Sequence, residues 1–275
     1  MIKLLVTDLD DTLYSWLEFF VPSFYTMVDK LLTVVDVDKE ELLKEYKSIH
    51  QRLGSLEYPY STLELPCIKS KYPNINKENI PTEIKDCFEV FNHKRNEHLK
   101  LYEGVEDFLR CLKDNNIKIV AYSESGEENG VYRVNKLGIE KYFDKIFIKK
   151  SPYDLRGKYP NNDKVITFEG FKPNIGVLER IIKEAGVKSD EVIYIGDHLY
   201  KDMLMAKRCN VKCGLVDLNS NYVKGLVKEI IPISNYDDEH LNQLEEYKKE
   251  WNENNYKPDY EIKSYKEFQK VLKIK

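Results

Sequence analysis

Asp8 and Asp10 follow a short apolar run, Ile2 to Thr7, and are separated by the single residue Leu9. Alternate residues of an extended chain point to the same side, so this spacing puts two carboxylates on one face. Carboxylates that close repel one another unless a cation or a proton lies between them. The segment Asp8-Leu9-Asp10-Asp11-Thr12 therefore has the chemistry of a cation-dependent site, with a solubilising acidic loop as the bland alternative. An EF-hand calcium loop is excluded, because it needs Gly at its sixth position and Glu at its twelfth, where this chain has Leu13 and Phe19. A second acidic pair, Asp197 and Asp202, follows the apolar run Val192 to Ile195 within Gly196-Asp197-His198-Leu199-Tyr200-Lys201-Asp202. A Gly-Asp turn alone is commonplace. Combined with Asp8 and Asp10, it supplies the oxygen-only donor set that Mg²⁺ prefers, an ion that keeps several waters and shares its remaining positions with phosphate.

Two further residues could complete such chemistry. Ser123 comes directly after the apolar stretch Ile119 to Tyr122, a place suited to a hydroxyl donor, although most serines there merely start a turn. Lys172 precedes Pro173 and Asn174 at the expected start of a helix. Any single lysine is by default a solvated surface residue. Several carboxylates plus a phosphate dianion, however, need more than one divalent cation to approach neutrality.

The elements that must position these residues follow a regular grammar. Residues 2–7 predict a strand buried on both faces, as in a parallel sheet. From Trp16 to about His98 the periodicity is helical, with helices over 16–32, 39–53 and 82–97 and a looser Pro- and Tyr-rich stretch over 58–81. The second helix is opened by an Asp38-x-x-Glu41 capping pattern and closed by Gly54. After this block come helix 105–113, strand 117–122, helix 130–137, strands 145–148 and 165–168, helix 174–184, strand 192–195, helix 201–208 and strand 213–216. A polar helical segment over 219–257 precedes a last strand, 259–262, and helix, 266–272. The alternation predicts an α/β fold with a doubly wound, Rossmann-like parallel sheet and right-handed connections. Its core is expected over 1–14 and 99–275, with 219–257 as a helical insertion, and residues 15–98 as an inserted all-helical domain. Ligands in such sheets bind at the carboxyl ends of the strands where the order reverses.

Composition narrows the partners. The 275 residues are 42% hydrophobic and 33% charged with a net charge of −4, which describes a folded acidic protein and excludes a disordered, fibrous or membrane chain. Lys and Arg total 43 against 47 Asp and Glu, without the basic stripe of a nucleic-acid binder. No stretch approaches membrane-spanning length, and the first apolar run is broken by Asp8 and Asp10 without a small-residue cleavage site, so a cytoplasmic location is expected. Five scattered cysteines are expected to be reduced, with Cys209 and Cys213 as core packing. His50, His93 and His98 are not spaced as a metal site on one helix face.

Taken in order, these pieces resemble the haloacid dehalogenase superfamily, specifically members with a helical C1-type cap between the first two motifs. The first motif is matched by Asp8-Leu9-Asp10-Asp11-Thr12, the second by Ser123, the third by Lys172-Pro173, and the fourth by Gly196-Asp197 with Asp202. Leu101-Tyr102-Glu103-Gly104-Val105 and Tyr142-Phe143-Asp144 agree as flanking segments, and Asn210 stands where the family often has Gly. The resemblance implies a Mg²⁺-dependent phosphatase branch enzyme acting on a small phosphomonoester, a sugar phosphate or a nucleoside monophosphate. Asp8 would be the nucleophile that becomes an aspartyl phosphate. Asp10 would be acid and then base, and Mg²⁺ would be held by the Asp8 carboxylate, the Asp10 backbone carbonyl and Asp197. Ser123 and the amide of Glu124 would hold phosphate oxygens, Lys172 would neutralise them, and Asp202 would orient Lys172 or a water on the metal. The cap would close over the site and set specificity. Trp16, Phe19 and Phe20 near its entry are expected to pack its helices together, and His198 to be a loop residue beside the metal ligand.

Asp10 separates branches of the family, since attack on carbon needs no acid two residues after the nucleophile, whereas phosphate esters do. A phosphomutase would use the same core residues. A phosphonatase would need a cap lysine for a Schiff base, and Lys44, Lys47 and Lys69 keep that alternative open. A non-catalytic binding descendant is disfavoured by the retained, mutually repelling carboxylates. Three features depart from the pattern: Glu124 beside the motif serine, the long polar stretch 149–163, and the added 219–257 segment. The oligomeric state has no signal in the sequence.

Overall fold

The computed structural model describes residues 1–58, 60–151 and 163–273, so most of the polar 149–163 stretch lies outside the described residues. These residues divide into two compact units. One comprises residues 1–15, 100–218 and 243–275, and the other residues 16–99 with 219–242.

The first unit is built on a parallel sheet of seven strands: β1 (Leu4–Thr7), β2 (Lys118–Gly126), β3 (Lys145–Lys149), β4 (Val165–Phe168), β5 (Val192–Gly196), β6 (Lys212–Val216) and β7 (Tyr260–Ile262). The order β4-β3-β2-β1-β5-β6-β7 shows the double winding. The chain steps outward from β1 to β4, returns to place β5 on the other side of β1, and steps outward again. The reversal point is therefore the pair β1 and β5, and in such sheets ligands bind at the carboxyl ends of the strands there. Leu4, Leu5 and Val6 in β1 and Ile193, Tyr194 and Ile195 in β5 are completely buried, as expected for strands covered on both faces. Burial of one such aliphatic side chain contributes about 1.5–3 kcal/mol. Val105, Phe108, Leu109 and Leu112 form the buried stripe of the helix Val105–Asp114, and Tyr265 and Phe268 of the helix Tyr265–Val271 pack against Phe108.

Two expectations shift here. The strand expected over 117–122 continues through Ser123, Glu124 and Ser125 to Gly126, with a register shift against β3 between Ser123 and Gly126. Ser123 thus lies within β2 rather than after it. The helix expected over 201–208 begins as a wide π turn, Leu199–Met203, and becomes α-helical only over Leu204–Arg208. The His198 carbonyl accepts from the Asp202 and Met203 N–H groups at 2.9 and 3.3 Å, which widens the turn.

The second unit is helical among the described residues. It contains the helices Trp16–Leu31, Lys39–Leu53, Pro66–Lys71 and Thr82–His98, with a short 3₁₀ turn, Ser61–Glu64, between the second and third, within the stretch that the sequence left loose. The Asp38 carboxylate accepts the Glu41 N–H at 2.8 Å, and Gly54 takes a left-handed φ of 67°, the start and stop that the sequence marks for the second helix. Phe20 stacks on Trp16 at 4.4 Å and meets Phe91 at 6.3 Å, so these aromatics pack helices together. The 219–257 segment does not behave as one insertion in the sheet unit. Residues 219–242 belong to the helical unit, where the Tyr25 hydroxyl donates to the Glu229 carbonyl at 2.7 Å and His50 Nδ1 meets the Ile233 carbonyl at 2.8 Å. The remainder belongs to the sheet unit, where Trp251 is buried and Arg208 Nε donates to Glu250 at 3.0 Å.

Candidate active site

Parallel register brings the acidic residues together. Thr7 is level with Ala121 of β2 and with Ile195 of β5, and the Asp8 N–H donates to the Ile195 carbonyl at 2.9 Å. Asp8 therefore leaves the end of β1 beside Gly196, one residue before Asp197. Carboxylate oxygens of Asp8, Asp197 and Asp202 all lie within 4.8 Å of one another. Asp11 takes a left-handed φ of 51°, and the Thr12 and Leu13 N–H groups both donate to the Leu9 carbonyl, at 3.3 and 2.8 Å. This tight turn reverses the chain immediately after the acidic pair, beyond the end of β1.

Lys172 is the cation of the cluster. Its Nζ lies 2.9 Å from Asp8 Oδ1 and 2.8 Å from Asp202 Oδ1, with the Tyr122 and Tyr194 rings 5.0 and 5.7 Å away. Burial alone would lower its pKa; Asp202 and Asp8 outweigh that and hold it well above the usual lysine range. Asp202 is enclosed more completely than any other acid of the site, because Oδ1 also accepts from the Tyr194 hydroxyl at 2.7 Å and Oδ2 accepts the His198 N–H at 3.1 Å. Those donors, Lys172 foremost, overcome the burial penalty and keep Asp202 below the ordinary carboxylate range. Gly196 makes this possible: a Cβ there would lie 2.5 Å from Asp202 Cγ.

The other two acids are left electrostatically unsatisfied. Desolvation, with repulsion from Asp202 and Asp10 and despite Lys172, pushes Asp8 up to about 8. Desolvation and repulsion from Asp202, Asp11 and Asp8 raise Asp197 well above the ordinary range. Three carboxylates face one lysine, and two of them resist ionisation. A hard divalent cation is what such an oxygen-only, anionic cluster fits. Both Asp202 oxygens are committed to protein donors, whereas Asp8 and Asp197 keep raised pKa values.

Asp10 leaves the turn towards a different group of residues. Its Oδ2 accepts from the Ser125 hydroxyl and from Arg133 Nη2, the latter at 3.3 Å. Ser123 is almost wholly buried at the end of β2, where its hydroxyl accepts the Ser125 N–H at 3.1 Å. Glu124, the departure beside the motif serine, turns its carboxylate aside: Oε1 accepts the Lys172 backbone N–H at 2.7 Å and Oε2 pairs with Lys201 Nζ at 3.2 Å. His198 Nδ1 accepts the Tyr200 N–H at 3.2 Å, consistent with a loop role. Lys44, one of the lysines considered for a Schiff base, is exposed and pairs with Glu40 at 2.7 Å, and that hydrogen bond raises its pKa, opposite to what an amine nucleophile needs.

Sequence reasoning did not single out Ser125, Arg133, Tyr194 or Lys201. Tyr194 carries a legible signal, a hydroxyl inside an otherwise aliphatic buried strand. Arg133 does not, since nothing in the spacing of its helix sets it apart from a solvated surface arginine, and only its burial marks it.

Comparison with known proteins gives a family match. The model of the haloacid dehalogenase-like hydrolase family matches residues 5–216. A protein of Methanocaldococcus jannaschii named glyceraldehyde 3-phosphate phosphatase is 25% identical over 250 residues, 90% of this chain and 95% of that protein. A Methanopyrus kandleri protein of the same name is 23% identical over 214 residues, 77% of this chain and 82% of the other. Among solved structures, the 2-haloacid dehalogenase of Pseudomonas syringae aligns with a TM-score of 0.58 at 18% identity, covering 99% of both chains.

Proposed function

Because the chain belongs to the haloacid dehalogenase-like hydrolases, we propose that it is a Mg²⁺-dependent phosphatase that hydrolyses a small phosphomonoester through an aspartyl phosphate on Asp8. The observation that carries this reading is the convergence, at the carboxyl ends of β1 and β5, of the Asp8 and Asp197 carboxylates, with Lys172 Nζ 2.9 Å from Asp8 Oδ1. The fold is shared with a dehalogenase and does not choose the chemistry. Asp10 does, because an acid two residues beyond the nucleophile serves an alkoxide leaving group, and the two curated relatives carry phosphatase names.

The Asp8 carboxylate, the Asp10 backbone carbonyl and Asp197 would hold Mg²⁺, which when bound supplies the positive charge that lets an anionic nucleophile approach an anionic phosphate. Asp8 attacks phosphorus in line with the departing oxygen. Lys172, fixed by Asp202, balances charge on Asp8 and on the transferred group. The Ser123 hydroxyl and the Glu124 amide hold phosphate oxygens, while the Glu124 side chain is kept away by Lys172 N–H and Lys201. Asp10 protonates the leaving oxygen and then takes a proton from the water that hydrolyses the intermediate. Residues 16–99 would serve as the cap that selects the leaving group.

Hydrolysis of p-nitrophenyl phosphate with Mg²⁺, with EDTA and by Asp8→Asn tests the proposal. Turnover only in the first arm is expected; metal-independent turnover or a wild-type rate in Asp8→Asn overturns it. A panel of glyceraldehyde 3-phosphate, other sugar phosphates and nucleoside monophosphates then fixes the substrate. Stoichiometric release of inorganic phosphate separates hydrolysis from a mutase.

A further inference from the structure

Asp10 is backed by a buried charge that the reaction scheme above leaves unused. Arg133, on the helix Glu127–Lys136, is only 1% exposed and is among the largest fully buried side chains of the chain. Its Nη2 lies 2.5 Å from Ser125 Oγ and 3.3 Å from Asp10 Oδ2, and its guanidinium carbon lies 6.0 Å from the centre of the Tyr14 ring. The Ser125 hydroxyl donates to the same Asp10 oxygen. Taking a guanidinium out of water costs several kcal/mol, and an apolar side chain of similar volume would fill the space without that cost. Packing alone therefore does not account for an arginine here.

The contacts are one-sided. Both donors engage Oδ2, whereas Asp10 Oδ1 is buried and has no hydrogen-bond partner among the described residues. A carboxyl group whose Oδ2 accepts from two donors has only its other oxygen open to exchange a proton with a ligand. Resting on the phosphatase reading, we propose that Arg133 and Ser125 are positioning residues that lock the Asp10 side chain so that Oδ1 alone handles the proton. When Asp8 bonds to phosphorus and the bond from phosphorus to the leaving oxygen breaks, the Oδ1 proton passes to that oxygen and yields the alcohol. When water then bonds to phosphorus and the bond to Asp8 breaks, the water proton returns to Oδ1 and phosphate departs. A misplacement of about 1 Å in such a group costs roughly 10²-fold in rate.

Two substrates read the two halves of this cycle: glycerol 3-phosphate, whose alkoxide must be protonated, and p-nitrophenyl phosphate, whose phenolate leaves without a proton. For Arg133→Met and Ser125→Ala we expect kcat on glycerol 3-phosphate to fall roughly 10²-fold and 10-fold, with KM within about threefold of wild type. On p-nitrophenyl phosphate the first turnover keeps close to its wild-type rate. It appears as a burst of nitrophenolate before a slow steady state, because hydrolysis of the phosphoenzyme lacks a placed base. Arg133→Lys, which keeps the charge, recovers part of the loss. Equal fold-losses on the two substrates in the first turnover, or wild-type kinetics in both variants, overturn the assignment. Ser125→Ala decides alone if Arg133→Met does not fold. If wild type and Asp10→Asn behave as a phosphatase and its acid variant while Arg133→Met and Ser125→Ala match wild type, only the positioning role falls. If wild type releases phosphate from neither ester, both readings fall.

Discussion

Acid should loosen the helical unit through one residue, His50. The side chain is completely buried on the helix Lys39–Leu53, with the Phe24 and Tyr46 rings 6.0 and 5.4 Å away. Its Nδ1 lies 2.8 Å from the Ile233 carbonyl, an acceptor, so the neutral ring carries its proton there and donates it. Nε2 is buried with no hydrogen-bond partner among the described residues. Desolvation lowers the pKa from 6.5 to about 4, although the Ile233 bond works in the opposite sense. The unfolded chain therefore binds a proton near pH 6.5 that the folded chain refuses until about pH 4, and stability rises with pH across that window. At 1.36 kcal/mol per unit the full difference is about 3 kcal/mol below pH 4, and about 2 kcal/mol is already lost between pH 7 and pH 5. The two tryptophans fall one in each unit, Trp16 in the helical and Trp251 in the sheet unit. In a Trp251→Phe background, urea unfolding followed by Trp16 fluorescence reports the helical unit. The measurement is the pH 7 minus pH 5 stability difference in this background and with His50→Phe added. Carboxylates elsewhere contribute equally to both proteins and cancel, as does the fixed cost of leaving the Ile233 carbonyl unpaired. A loss about 2 kcal/mol larger with histidine present is expected. Differences that agree within about 0.5 kcal/mol would refute the argument.

Three more outcomes follow from the site. Asp10→Asn should slow both formation and breakdown of the phosphoenzyme by roughly 10²-fold or more, yet bind Mg²⁺ with wild-type affinity by calorimetry, since its backbone carbonyl is unchanged; complete loss of Mg²⁺ binding contradicts the role. Gly196→Ala places a Cβ 2.5 Å from Asp202 Cγ and should cost about 2 kcal/mol in denaturant unfolding while lowering kcat, because Asp202 can yield only by releasing Lys172. Mg²⁺ should raise the melting temperature of the wild type, by about 1.4 kcal/mol of stability for each tenfold concentration above its Kd, and leave Asp197→Asn unmoved. An identical shift in both proteins would remove Asp197 from the metal site.

The sheet was legible because its signals are local. Buried strands such as Leu4–Thr7 and Val192–Gly196 are short apolar runs, and the alternation of these runs with helices predicts the parallel winding that the register then displays. The acids after those strands were legible for the same reason, since strand ends in a doubly wound sheet converge. What escaped depends on side-chain direction. That Glu124 bends back to Lys172 and Lys201, that Asp202 is held by Tyr194, and that Arg133 reaches across to Asp10 are facts of rotamer and packing with no period in the sequence. The boundary in residues 219–257 escaped for a related reason: a polar amphipathic segment shows that it needs an apolar partner but not which one. Val223 and Ile233 find theirs in the helical unit, Trp251 in the sheet unit.

The cost of the site explains why so much of the structure holds it. Replacing a buried ionic cluster with apolar residues of similar volume is often neutral or stabilising, so Asp8, Lys172, Asp197 and Asp202 are not there to hold the fold together. They lean on it instead. A one-residue slip of β1 against β5 would turn Asp8 to the opposite face, and Leu4, Leu5 and Val6, fully buried against both faces of the sheet, would have to repack for it. The site also separates its two kinds of acid. Asp202, with three donors, is satisfied within the protein and fixes Lys172, whereas Asp8 and Asp197 keep raised pKa values that a proton or an external cation would relieve. Asp10 belongs to neither kind, because Ser125 and Arg133 both engage one of its oxygens and the other, proposed to transfer the proton, has no hydrogen-bond partner among the described residues. Chemically alike side chains, two of them two residues apart in sequence, are thus given different work by the donors that surround each one.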